Sequence, residues 1–282
     1  MGGSNPASHF IMIQVRDIRV PVTPLPAWRT VRQYGVPPLR PPRENPLKVL
    51  VFQHVAAEHP GSFRDFMRAD GVIWDAVELD EGEAIPALEG YDALMVFGGP
   101  MDVWQEEEHP WLVAEKAAIR AWVATGKPYL GVCLGHQLLA DALGGKVGLM
   151  PRPEVGVTDV SLTPDGQASV FFTGLPPTFP TLQWHGAAVL KQPEGAKVLA
   201  HNDHCAIQAL QVGARAFGIQ YHVELTDDTV PEWGEITEYR CALEAITGPG
   251  GGALLVKAVE EKMPVFRKAA EQLYRNFRAT WG

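Results

Sequence analysis

The stretch Pro128-Tyr-Leu-Gly-Val-Cys133-Leu-Gly135-His-Gln137-Leu-Leu-Ala-Asp-Ala-Leu-Gly144-Gly145 constrains the fold more than any other part of the chain. Residues 129–132 form a short apolar run, the pattern of a buried strand. Leu134, Leu138, Leu139, Ala142 and Leu143 then recur on one face of a helix that stops at Gly-Gly. Strand must pass into helix at a single tight turn with Cys133 at its tip. Such a turn is strained and packs strand closely on helix, so it needs small neighbours, and Gly131 and Gly135 supply them. The helix N-terminus behind the thiol is expected to lower its pKa toward the thiolate. Cys133 is therefore a candidate nucleophile rather than a buried filler. Cys205 lies in an alternating run and Cys241 in an amphipathic helical stretch, so neither has this setting. Three unpatterned cysteines speak against a disulfide framework or a zinc site and for a reducing compartment.

A cysteine nucleophile needs a base. Among nine histidines the candidate is His222, which ends the apolar run Arg215-Ala-Phe-Gly-Ile-Gln-Tyr-His222. Glu224 follows two residues later, and on a continuing strand both side chains share a face, as a base and its orienting carboxylate would. A third element, Asp92-Ala-Leu-Met-Val-Phe-Gly98-Gly99-Pro100-Met101, runs from strand into bare backbone. In an acyl-transfer site a glycine N–H of this loop can approach a developing oxyanion together with the N–H of Leu134, the residue after the nucleophile.

Apolar strand-like and helical segments alternate from residue 48 to 143, with strands expected at 48–54, 73–79, 92–97 and 129–132 and helices at 60–69, 110–124 and 134–143. That alternation implies right-handed crossovers and an α/β fold with a doubly wound, mostly parallel sheet flanked by helices, its site at the carboxyl ends of the strands. The pattern turns strand-rich after Gly145, with strands expected at 157–162, 198–200, 206–211 and 216–221. Three parts follow: a proline-rich arm (1–47, nine prolines), a catalytic domain (48–227) and a helical C-terminal extension (228–282). The extension is broken by Thr247-Gly-Pro-Gly-Gly-Gly252. Its last helical piece, 253–277, is expected to be interrupted at Pro264 and either covers the core or serves a homo-oligomer contact.

In order, Gly98-Gly99-Pro100, Gly131-Val-Cys133-Leu-Gly135-His-Gln137 and Tyr221-His222-Val-Glu224 resemble the motifs of the class I (triad) glutamine amidotransferases. Trp184-His185-Gly186 extends the likeness to stand-alone proteins similar to the GMP synthase glutaminase domain, over residues 48–226. The resemblance implies a flavodoxin-like fold and a Cys133-His222-Glu224 triad that cleaves the glutamine side-chain amide to glutamate and ammonia through a thioester. It also implies an oxyanion hole at Gly99 and Leu134, and substrate contacts from Gln137, His185 and the backbone near Gly186. The chain departs from the family at Val223, where proline is usual, and at Ala187, where relatives commonly carry an acid after Trp-His-Gly. A γ-glutamyl amide or peptide hydrolase uses the same triad, and a non-catalytic binding module would keep the same fold.

The remaining signals are quieter. Charge is −9, with no basic patch to meet nucleic acid. No run reaches the ~18 apolar residues of a membrane span and no signal peptide opens the chain, so a cytoplasmic location is expected. His201, Asp203 and His204 lack a further metal ligand, and Gly250-Gly-Gly252 lacks the Lys-Ser/Thr of a phosphate loop, so neither metal nor cofactor is expected. Glu106-Glu-Glu108 is expected as the acidic first turn of the following helix. Neither terminal part is long enough for a synthetase domain, so ammonia is expected either to be released to solvent or to pass to a separate synthetase.

Overall fold

In β1 (Lys48–Gln53) successive side chains enter different cores: Val49 and Val51 pack into one apolar cluster, Leu50 and Phe52 into another on the opposite face. A strand apolar on both faces belongs in the middle of a sheet covered on both sides. The computed structural model describes residues 45–248 and 250–281, which lie within one compact unit, Glu44–Gly282. The proline-rich arm lies outside the described residues up to residue 44.

Following β1, the chain runs through α1 (Phe63–Ala69), β2 (Ile73–Glu78), β3 (Ala93–Val96), α2 (Trp111–Ala124), β4 (Tyr129–Val132) and α3 (Leu134–Ala142). It continues through β5 (Lys146–Leu162), α4 (Pro164–Ala168), β6 (Thr178–Lys191), β7 (Lys197–His201), β8 (Ala209–Val212) and β9 (Ala216–Ile219). Three helices end it: α5 (Thr229–Glu235), α6 (Thr237–Thr247) and α7 (Gly251–Ala279). One nine-stranded sheet has the order β2-β1-β3-β4-β9-β8-β7-β5-β6.

This sheet is mixed, not mostly parallel. β2, β1, β3, β4 and β9 pair in parallel, as crossover helices require, whereas β9-β8, β8-β7, β7-β5 and β5-β6 are antiparallel. Past α3 the strands follow one another without long crossover helices, and short connections favour antiparallel neighbours. Strand β6 falls where none was expected. It bears no alternation to betray it, because Thr181 to His185 are all buried regardless of polarity.

Two further expectations are corrected. The acids Glu106–Glu108 do not enter a first helical turn: α2 begins at Trp111, and Glu106 instead pairs with the buried Lys116, which Asp141 also meets at 2.9 Å. Pro264 does not end the C-terminal helix. α7 passes through it, because Pro264 and Glu260, whose carbonyl loses its helical donor, are both exposed to water. Beyond that point Ala269, Ala270, Leu273, Tyr274 and Phe277 pack into the core beside β1 and β4, so this helix covers one face of the sheet.

Candidate active site

Cys133 sits between the carboxyl end of β4 and the start of α3 with φ 54° and ψ −107°, and it is the one non-glycine residue at positive φ among those described. That strain is held from both sides: the Cys133 N–H donates to the Ile219 carbonyl (2.8 Å) and the Gly135 N–H to the Phe97 carbonyl (3.2 Å). A Cβ on Gly131 would fall well inside contact distance of the Gly135 carbonyl, and one on Gly135 inside that of the Val96 carbonyl. These are backbone atoms that no rotamer change can move. Gly131→Ala or Gly135→Ala is therefore expected to cost about 3 kcal/mol of folding stability. Urea denaturation checks this, and an unchanged midpoint in both variants would show that the turn relaxes.

His222 and Glu224 meet, though not on a continuous strand. β9 stops at Ile219, and His222 is held by an isolated antiparallel bridge to Leu182, with N–H to carbonyl distances of 2.8 and 3.0 Å. His222 Nδ1 lies 2.6 Å from Glu224 Oε1, while Glu224 Oε2 accepts from the Val223 N–H at 2.9 Å. Both side chains are buried, and the Trp233 ring packs edge-on against the imidazole with 4.6 Å between centroids. Among the described residues His222 Nε2 has no hydrogen-bond partner. The Cys133 thiol is a close electrostatic neighbour of the imidazole. Burial disfavours the imidazolium, but Glu224 and the neighbouring sulfur outweigh it and raise the His222 pKa well above its ordinary value.

The thiol departs from expectation. Burial pushes the Cys133 pKa up, His222 pulls it back, and the carboxylates of Glu58 and Glu224 push it up again, so the helix N-terminus does not prevail. The other cysteines offer no rival nucleophile: Cys205 is buried with its pKa raised to about 11, and Cys241 is exposed on α6. His136, next to the turn, is pushed down to about 3 by burial and stays neutral.

Gly99 and Leu134 line the same cleft as Cys133, and among the described residues neither backbone N–H is taken by a protein acceptor. His54, which gave no sequence signal, sets the first of them. Its Nδ1 donates to the Gly98 carbonyl (2.9 Å) and its Nε2 meets Glu115 Oε1 (2.9 Å), with Trp111 stacked at 5.3 Å. The Gly98 carbonyl and the Gly99 N–H belong to one trans peptide and point opposite ways, so holding the oxygen aims the N–H.

The cleft is about 180 Å³. Gln137, His185 and Gly186, the expected substrate-side residues, all line it. His222 and Glu224 do not; they lie buried beyond Cys133. The Gln137 amide is engaged by protein, with Nε2 donating to the Ala187 carbonyl (3.0 Å) and to Gln220 Oε1 (3.1 Å). The His185 ring is also engaged: Nδ1 at 2.9 Å from the Ala187 carbonyl, and Nε2 at 3.1 Å from Gln183 Oε1 and 3.2 Å from Glu154 Oε2.

Residues from distant segments complete the wall. Tyr239, Glu238 and Ala242 come from α6, and Asp102 from the loop after Gly99. The Tyr239 hydroxyl donates to Glu58 Oε1 at 2.5 Å. Glu58 is itself buried against Gly98, where a Cβ would lie 2.5 Å from Oε2. Burial raises the Glu58 pKa against the pull of His222 and Tyr239. Among the described residues no three His, Cys, Asp or Glu side chains gather as a metal site, and no helix is long and apolar enough to cross a membrane.

A family model for glutamine amidotransferase class-I matches residues 67–230. The chain belongs to the class I glutamine amidotransferase family. It is 40% identical over 154 residues to a glutamine-hydrolyzing GMP synthase of Aeropyrum pernix, covering 54% of this chain but only 28% of that protein. It is 34% identical over 147 residues to one subunit of the glutamine-hydrolyzing GMP synthase of Ignicoccus hospitalis (52% and 70%), and 28% identical over 168 residues to gamma-glutamyl peptidase 5 of Arabidopsis thaliana (58% and 66%). Among solved structures, a glutamine amidotransferase from Thermotoga maritima superposes with a TM-score of 0.74 at 28% identity, over 83% of this chain and 98% of that one.

Proposed function

We propose that the protein is a cysteine amidohydrolase that cleaves the side-chain amide of glutamine, or of a γ-glutamyl compound, to the acid and free amine. The observation that carries this reading is that one cleft is lined by Cys133 together with Gly99 and Leu134, whose N–H groups have no protein acceptor among the described residues, while His222, an electrostatic neighbour of the thiol, is held 2.6 Å from Glu224. The thiol proton passes to His222 Nε2 and the sulfur attacks the amide carbon. The carbonyl electron pair moves to oxygen, where the N–H groups of Gly99 and Leu134 receive it. Collapse breaks the C–N bond, and nitrogen leaves with the proton from His222. Water, deprotonated by the same imidazole, then opens the thioester and restores the thiol.

The acid missing at Ala187 has substitutes in space. Asp102 and Glu238 bring carboxylates to the cleft from other elements, suited to a substrate α-ammonium group. In this reading residues 48–227 carry the triad, and the 228–282 helices contribute a cleft wall through Tyr239. The gamma-glutamyl peptidase relative, together with Ala187, favours γ-glutamyl amides or peptides as a second substrate class. The Ignicoccus hospitalis relative, itself one subunit of a GMP synthase, supports a separate synthetase partner as recipient of the ammonia.

The purified chain is expected to release ammonia from glutamine, or amine from a γ-glutamyl amide, at a rate indifferent to ATP. Enzymatic ammonia assay with glutamine and a panel of γ-glutamyl amides distinguishes the two substrates. Absence of turnover on all of them would leave a binding module of the same fold. ATP-dependent amidation by the chain alone would contradict the hydrolase reading.

A further inference from the structure

A chain of buried polar groups leads to the nucleophile from the side opposite in role to the base. Gln220, fully buried one residue past β9, places Nε2 3.7 Å from Cys133 Sγ. An amide can be turned either way, so its orientation must be fixed by its partners. Here the partners leave one choice. The Ala187 carbonyl can only accept, so Gln137 presents its NH2 group there, at 3.0 Å. That same NH2 reaches Gln220 at 3.1 Å, so Gln220 must turn its oxygen toward Gln137 and its own NH2 toward the sulfur. The Ala187 carbonyl is itself held by His185 Nδ1 at 2.9 Å, and His185 by Gln183 and Glu154. Glu154 is anchored in turn by Asn202 (2.5 Å) and Gln208 (3.0 Å).

We propose that Gln220 is a further catalytic residue, whose amide N–H stabilises the Cys133 thiolate, and that Gln137 and the Ala187 carbonyl are the positioning groups that aim it. The proposal rests on the reading of Cys133 as nucleophile. A hydrogen bond to a neutral thiol is weak, whereas one to a thiolate is charge-assisted, so the donor favours the form that attacks. The need is specific to this site. Glu58 and Glu224 lie near the sulfur and oppose its negative charge, Tyr239 is tied to Glu58, and among the described residues His222 is the one side chain that favours that charge. In the first step the thiol proton goes to His222 Nε2, the electron pair stays on sulfur and then forms the S–C bond. Gln220 keeps its proton throughout.

The test is the pH dependence of Cys133 alkylation by iodoacetamide in the full chain, followed by peptide mass spectrometry. Gln220→Met keeps the bulk without the donor, and Gln220→Asn keeps the amide but withdraws it from the sulfur. Both are expected to move the alkylation midpoint up by about one pH unit, making labelling roughly tenfold slower below the midpoint. Gln208→Met removes only a side chain at the far end of the network and keeps the backbone carbonyl that accepts from the Gln220 N–H at 2.8 Å, so it is expected to leave the midpoint where it was. Parent-like profiles in either folded Gln220 variant would overturn the proposal, as would an equal shift in Gln208→Met. Failure of both Gln220 variants to fold would make the residue structural and overturn it too. Alkylation does not require turnover. An inactive chain that shows the shift would remove the proposed substrate and keep this role; an unshifted chain that hydrolyses glutamine would do the reverse.

Discussion

Cys133→Ala is expected to abolish amide hydrolysis, a fall on the order of 10⁶-fold, while the protein keeps its fold. No other group near the cleft can replace the sulfur. Cys205 is buried with its pKa at about 11, and Cys241 lies exposed on α6. The fold should survive because alanine keeps the Cβ, and what holds residue 133 at φ 54° is its backbone bond to Ile219 and the packing of Gly131 on Gly135. Ammonia release and thermal unfolding of the same preparation check the two halves of the statement. A glutamine-mimicking electrophile should label Cys133 and spare Cys205 and Cys241. Equal labelling of all three, or residual activity in Cys133→Ala above a hundredth of the parent, would remove Cys133 from the mechanism.

The same turn shows how much a sequence can disclose. Residues 129 to 142 could be read because every requirement is local: four apolar residues make the strand, glycines permit the close approach, and Leu134, Leu138 and Leu139 repeat at helical spacing. His222 and Glu224 were legible for a similar reason, being two residues apart. Sequence pattern fails where partners are remote. Tyr239 and Glu58 touch across 181 residues, and Gln220 reaches Cys133 across 87. Neither contact leaves a periodic trace, because each residue is buried by its partner rather than by the face of its own element. Strand β6 was missed on the same grounds. In β6, Gln183 and His185 are as buried as Leu182 and Trp184, their polar atoms satisfied by Thr181, Glu154 and the Ala187 carbonyl, so alternation disappears. The thiol pKa was misjudged for a related cause: the helix N-terminus is visible in sequence, whereas the burial and the two carboxylates that outweigh it are properties of the assembled site.

His222→Ala is expected to cost nearly as much as loss of the thiol, and Glu224→Gln about 10⁴-fold, because the two changes remove different things. Without His222 nothing takes the thiol proton or returns it to the leaving nitrogen. Glu224→Gln leaves the imidazole in place but gives it the wrong neighbour. Glu224 now accepts with both oxygens, one from His222 Nδ1 and one from the Val223 N–H. A glutamine has one oxygen for two donors. If that oxygen serves Val223, the amide NH2 faces Nδ1, forces the proton onto Nε2 and blocks the atom that must receive the thiol proton. The carboxylate also helps hold the His222 pKa up, so its loss lowers that pKa, and the limb of the pH–rate profile that titrates His222 moves to lower pH. Steady-state rates across pH for the parent, His222→Ala, Glu224→Gln and His185→Ala check all of this. His185 has both ring nitrogens facing oxygen acceptors on β5 and β6, so its replacement should disturb the cleft wall and not proton transfer. A His185→Ala defect larger than that of His222→Ala would mean that the base is on the other side of the cleft.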